Sequence, residues 1–153
     1  MNKKGFTLVE LLAVIVLIAI LSGIAVPNIM SSINNSKKNT FLLDAKRMVS
    51  KAEYLLSKDT VNRNKLKRGE VTNIIYNFND LNNNGEFQTD ADGGIFDNTS
   101  FVKISINGSN YESCICVIGS KRRIGDTNSC DATTGDGCIL SNTLTGIDKV
   151  KDK

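Results

Sequence analysis

Lys3-Lys4-Gly5-Phe6-Thr7-Leu8-Val9-Glu10-Leu11-Leu12-Ala13-Val14-Ile15 decides how this chain is read. Two lysines and a glycine precede an apolar run that continues to Val26, broken by polar side chains only at Thr7, Glu10 and Ser22. At ~1.5 Å per residue, Phe6–Val26 makes a helix of roughly 30 Å, the thickness of a hydrocarbon core. No lysine or arginine follows until Lys37, so the positive-inside rule puts Met1 in the cytoplasm. A secretory signal carries its small-residue cleavage site after the apolar stretch. Here Gly5 stands before it. Cutting between Gly5 and Phe6 removes Met1–Gly5 and leaves the whole apolar helix on the mature chain. Glu10 is then an acid inside a span, where ionisable groups are costly and mark function.

That string resembles the N-terminus of the type IV pilin superfamily, which includes type IV pilins and the pseudopilins of type II secretion and competence systems. The resemblance extends through Pro27. It implies that a membrane prepilin peptidase cleaves after Gly5 and N-methylates Phe6. It also implies that a platform protein and an assembly ATPase drive subunits from the membrane into a helical filament. Localisation follows: single-pass in the cytoplasmic membrane before assembly, a cell-surface pilus after it. Adhesion, twitching motility and DNA uptake are the roles implied downstream, with a host surface or DNA as partner. A filament-associated adhesin or other binding module is a further alternative.

The charge pattern agrees with this resemblance. Without the leader, Phe6 carries a free amine, and Glu10 four residues on shares its helix face. Each charge is costly alone in a low-dielectric bundle. Phe6 of one subunit paired with Glu10 of its neighbour would fix axial register, as a buried polar residue does in a coiled coil. The alternative is that Glu10 only reaches back to the interface near the helix start. Pro27 lacks an N–H, and its ring crowds the carbonyl of Gly23. Gly23 itself weakens the helix, so a kink or a meltable stretch is expected at Leu21–Pro27.

The chain then divides into a leader at 1–5, a transmembrane and filament-core helix at 6–26, an amphipathic continuation at 27–57 and a globular head at 58–153. In the continuation Phe41, Ala45, Met48, Ala52 and Leu55/Leu56 form one apolar stripe between charged residues. Ser57–Arg68 is polar and basic and reads as a connector. Val71, Ile74, Ile75, Phe78 and Leu81 fit a short helix ending before Gly85, with a strand as the alternative. Val102, Ile104 and Ile106 alternate with polar residues and lead into Asn107-Gly108, a hairpin turn. With that pair as the turn, Lys103 faces Glu112. Val102, Ile104, Tyr111, Ile115 and Val117 then share the face that covers the stripe. Ser120–Ile124 supplies a third strand. The expectation is α+β: a long N-terminal helix packed on a small antiparallel sheet.

Cys114, Cys116, Cys130 and Cys138 all fall in the exported half, where an even count argues for disulfides. Two residues apart on one strand, Cys114 and Cys116 would distort it by bonding directly. Each therefore pairs with Cys130 or Cys138, in either arrangement. Free thiols and a metal site are the alternatives. The family resemblance implies the same stapling of a C-terminal loop.

Asp80, Asn82 and Asn84, with Gly85 next, match the opening of a calcium loop. The closing glutamate's slot is Ala91, flanked by Asp90 and Asp92. An Asn/Gly turn capping a short helix accounts for the same residues. Lys121-Arg122-Arg123 is either a DNA-phosphate contact or a solvated strand end. The chain has 153 residues, a formal charge of +3 supplied mostly by the leader lysines, and no histidine or tryptophan. No nucleophile elbow or phosphate-binding glycine loop is present, and neither an enzyme nor a cofactor other than calcium is expected.

Overall fold

The computed structural model describes residues 5–126 and 130–153, apart from the side chains of Ile24 and Pro27. Met1–Lys4, most of the segment read as a leader, lies outside the described residues. The chain divides into two compact units, Met1–Ser36 and Lys37–Lys153.

One helix, α1, runs Leu8–Lys58 through both. In the first unit every large apolar side chain described from Phe6 to Ile33 is exposed, and up to Val26 they lie on all sides of the helix. Such a helix has no water-facing side and needs an apolar surrounding. The Ser22 hydroxyl donates to the Ile18 carbonyl at 2.7 Å, so this polar group is satisfied inside its own helix. No single helix among the described residues is long and apolar enough to cross a membrane. Leu8–Gly23 and Asn28–Lys58 meet that test only as a pair bent by 42°. The kink expected from Gly23 and Pro27 falls on this stretch, and the Pro27 side chain lies outside the described residues.

In the second unit α1 presents its stripe to a six-stranded antiparallel sheet. Phe41, Ala45, Met48 and Ala52 are fully buried, with Leu56 close behind. Ala45, between Phe41 and Met48, and Ala52, between Met48 and Leu56, let the sheet approach between the bulkier side chains. The strands are β1 (Asn73–Asn77), β2 (Phe101–Asn107), β3 (Asn110–Ile118), β4 (Arg122–Ile124), β5 (Ile139–Leu140) and β6 (Lys151–Asp152). Their order is β1-β2-β3-β4-β6, with β5 also pairing β3. Val102, Ile104, Ile115, Val117 and Ile124 pack on the α1 side. Phe101, Cys116 and Ile118 form a smaller cluster on the other face.

Three local expectations change. The stretch read as a connector holds a helix, α2 (Thr60–Lys67), whose N-cap Asp59 accepts from the Asn62 amide at 3.0 Å and whose Leu66 is buried. The segment read as a short helix is strand β1 followed by one helical turn, α3 (Phe78–Leu81). Asn77 and Asp80 close a capping box there, so Asn77 ends the strand and starts the turn. The β2–β3 hairpin turns on Gly108-Ser109, because Asn107 pairs with Asn110. Gly108 has φ 65°, the left-handed value a II′ turn needs at its first central position. Moving the turn by one residue shifts the register by two and leaves every face unchanged. Lys103 therefore lies opposite Cys114, and its Nζ donates to the Gly135 carbonyl at 2.8 Å. It does not pair with Glu112.

Cys114 bonds Cys138 and Cys116 bonds Cys130, with Cα separations of 5.5 and 5.7 Å. These settle which of the two open pairings holds, and no free thiol remains. Both bonds fix the tail over the sheet face that α1 does not cover.

Candidate functional site

The helix start is built by its own sequence. Thr7 is the residue before α1, and the Glu10 amide donates to its Oγ1 at 3.3 Å. In return the Thr7 amide and hydroxyl both donate to Glu10 Oε2 at 2.8 Å. This is a reciprocal capping box, in which the first orphan amides of the helix meet a hydroxyl and a carboxylate. Both bonds end on Oε2, and Oε1 has no partner among the described residues. The spacing Thr-x-x-Glu is a readable capping signal, and the sequence reading overlooked it. Phe6 precedes the cap and is 88% exposed, so the position that cleavage would turn into a free amine stands clear of the protein. Gly5 is exposed as well.

Most of the residues read as a calcium loop are engaged by their own chain. Asp80 is committed to the α3 cap. Asn82 Oδ1 accepts from the Phe87 amide at 2.8 Å, and Asn84 sits in the turn before Gly85. Asp90 is buried. Its Oδ1 accepts from the amides of Asp92 and Gly94, and its Oδ2 from the Ser120 amide and hydroxyl. Asp92 faces Arg122 and Lys37. Among the described residues no group of three or more His, Cys, Asp or Glu side chains is placed to hold a metal.

These aspartates instead tie the head together where α1 enters it. Arg122 Nε meets Asp92 Oδ2 at 2.6 Å and its Nη2 meets Oδ1 at 3.3 Å, a two-pronged contact between side chains 6% and 3% exposed. Lys37, on α1, adds a contact to Asp92 at 3.2 Å. Lys38 reaches Asp152 on β6 at 3.6 Å. Burial alone pushes both aspartates up. For Asp90 the bonds from Ser120, Gly94 and Asp92 outweigh it, and for Asp92 the bonds and charges of Arg122 and Lys37 do, so both carboxyls titrate below the usual range. Arg122 is thus an interior residue. The basic run read as a DNA contact or a solvated strand end is split, with its central cation facing inward.

The arrangement is that of a sheet-bearing head built on the second part of α1. Residues 1–26 match the family model described as Prokaryotic N-terminal methylation motif. The chain carries a prepilin signal of the type IV pilin or pseudopilin kind. Such signals go with membrane anchoring, peptidase processing and assembly into surface filaments. No curated protein and no solved structure matches the chain.

Proposed function

We propose that the chain is the structural subunit of a type IV pilus, cut after Gly5, N-methylated on Phe6 and polymerised through α1. The observation that carries this reading is the sleeve of exposed apolar side chains from Phe6 to Val26 within the prepilin signal. A membrane can cover that sleeve before assembly, and copies of the same sleeve can cover it afterwards. The capping box holds the Glu10 carboxylate at the rim of the helix with Oε1 left over. The methylated amine of a neighbouring Phe6 is the group that would take it. The disulfide-pinned tail favours a pilus subunit over a pseudopilin of a secretion or competence system, because the tails of pseudopilins are often simpler.

Mass spectrometry of the protein from its native membrane tests this. Loss of Met1–Gly5 and gain of one methyl on Phe6 is the expected result. An intact leader on the mature protein would overturn the proposal.

A further inference from the structure

We propose that the end of the head remote from the entry of α1 holds a binding site for neutral pyranose sugars. Glu53, near the C-terminal end of α1, accepts the Ser113 hydroxyl of β3 at 2.8 Å. Beside it lie two hollows, of about 370 and about 290 Å³; Arg63 of α2 lines the first, and the β2–β3 hairpin with Ser141 and Asn142 lines the second. Glu53 and Tyr111 line both. Together the hollows fall in the range of roughly 300–1,000 Å³ usual for small-molecule sites.

The lining selects the chemistry. Tyr111 is 43% exposed and offers an aromatic face. The first hollow has an apolar floor, and the second is edged by the amides of Asn107, Asn110 and Asn142. A pyranose needs this combination: its C–H face stacks on a ring, while its hydroxyls both donate and accept, as amides do. Charge narrows the class. Among the residues lining the two hollows the charged ones are Glu53, Glu112 and Arg63, and the Arg63 Nη1 is already bonded to the Ser57 carbonyl at 3.0 Å. Arg63 Nε is buried without a partner among the described residues, a donor that a small shift of the side chain would present to a hydroxyl. Acidic sugars would meet two carboxylates, and a purely apolar ligand would leave the amides unpaired.

The site belongs to the single chain, so it can be tested whether or not the chain forms filaments. Saturation-transfer NMR on the full chain in a sugar-free detergent is the assay. The probes are methyl β-glucopyranoside, methyl β-galactopyranoside, diacetylchitobiose and sialyllactose. At least one neutral probe should bind saturably at millimolar concentration. Tyr111→Ala should weaken it about tenfold or more, and Tyr111→Phe by less than about threefold. Asn142→Ala, at an edge of the hollow away from the core, should also weaken binding, which separates loss of the site from loss of the fold. No binding by any neutral probe, binding indifferent to both Tyr111→Ala and Asn142→Ala, or binding of sialyllactose alone would overturn the proposal.

Discussion

Replacing Arg122 by alanine should destabilise the head strongly, although the residue sits in a run of three cations that reads as surface. Asp92 would keep its burial and lose its two-pronged partner. Lys37 would remain at 3.2 Å, but its side chain is 40% exposed, so it screens poorly. The second acid near Arg122, Asp152, is 69% exposed and contributes little. Stranding one member of a buried pair costs about 3–5 kcal/mol, and the remaining lysine places this case near the lower end, about 3 kcal/mol. That corresponds to a fall in Tm on the order of 10 °C for a head of this size. Thermal unfolding of the full chain in detergent, followed by circular dichroism, measures it. Two controls fix the cause. Lys121→Ala should shift stability by less than about 0.5 kcal/mol, as exposed substitutions do. The pair Arg122→Met with Asp92→Leu should recover most of the loss, because it removes both charges together. If Arg122→Ala behaves like Lys121→Ala, the interior role of Arg122 is wrong.

Other outcomes follow from the same contacts. Phe41→Ala removes a fully buried ring that packs on Phe96 at 5.8 Å, and should cost about 3–5 kcal/mol by the same melt. Replacing Cys116 and Cys130 together by alanine opens a bond spanning 14 residues, which should cost about 3 kcal/mol. It should also make the tail near Asp131 sensitive to protease. Asp90 and Asp92 have folded pKa values depressed below the ordinary carboxylate value. Their stabilisation is therefore complete above the unfolded pKa near ~3.9 and lost as pH falls through the lower folded values. A pH series of melts should be flat near neutrality and decline only in acid, and Asp90→Asn should flatten part of that decline.

The long-range plan was legible because it rests on periodicity. The stripe from Phe41 to Leu56 and the alternation from Val102 to Val117 each state which side is buried, and no local detail alters that. Even the misplaced hairpin turn kept its faces, since a shift of two residues preserves strand parity. Elements decided by caps were harder. Asn77 could continue a helix or end a strand, and only its exchange with Asp80 settles the matter. Asp59 converts a polar stretch into α2 by capping it, which composition does not reveal. The pairing of the cysteines and the inward turn of Arg122 depend on residues 14 to 30 positions apart that only the folded sheet brings together. Asp90 and Asp92 carried a real signal of importance, and in the folded head their partners are Ser120 and Arg122.

Glu10→Gln tests the central claim most directly. The substitution keeps the shape of the side chain and removes the charge that a neighbour's amine would answer. With N-terminal processing checked by mass, filaments are counted by electron microscopy of the producing cells. The account predicts a processed, methylated, membrane-held subunit and few or no filaments. Filaments at wild-type number and regularity would contradict it.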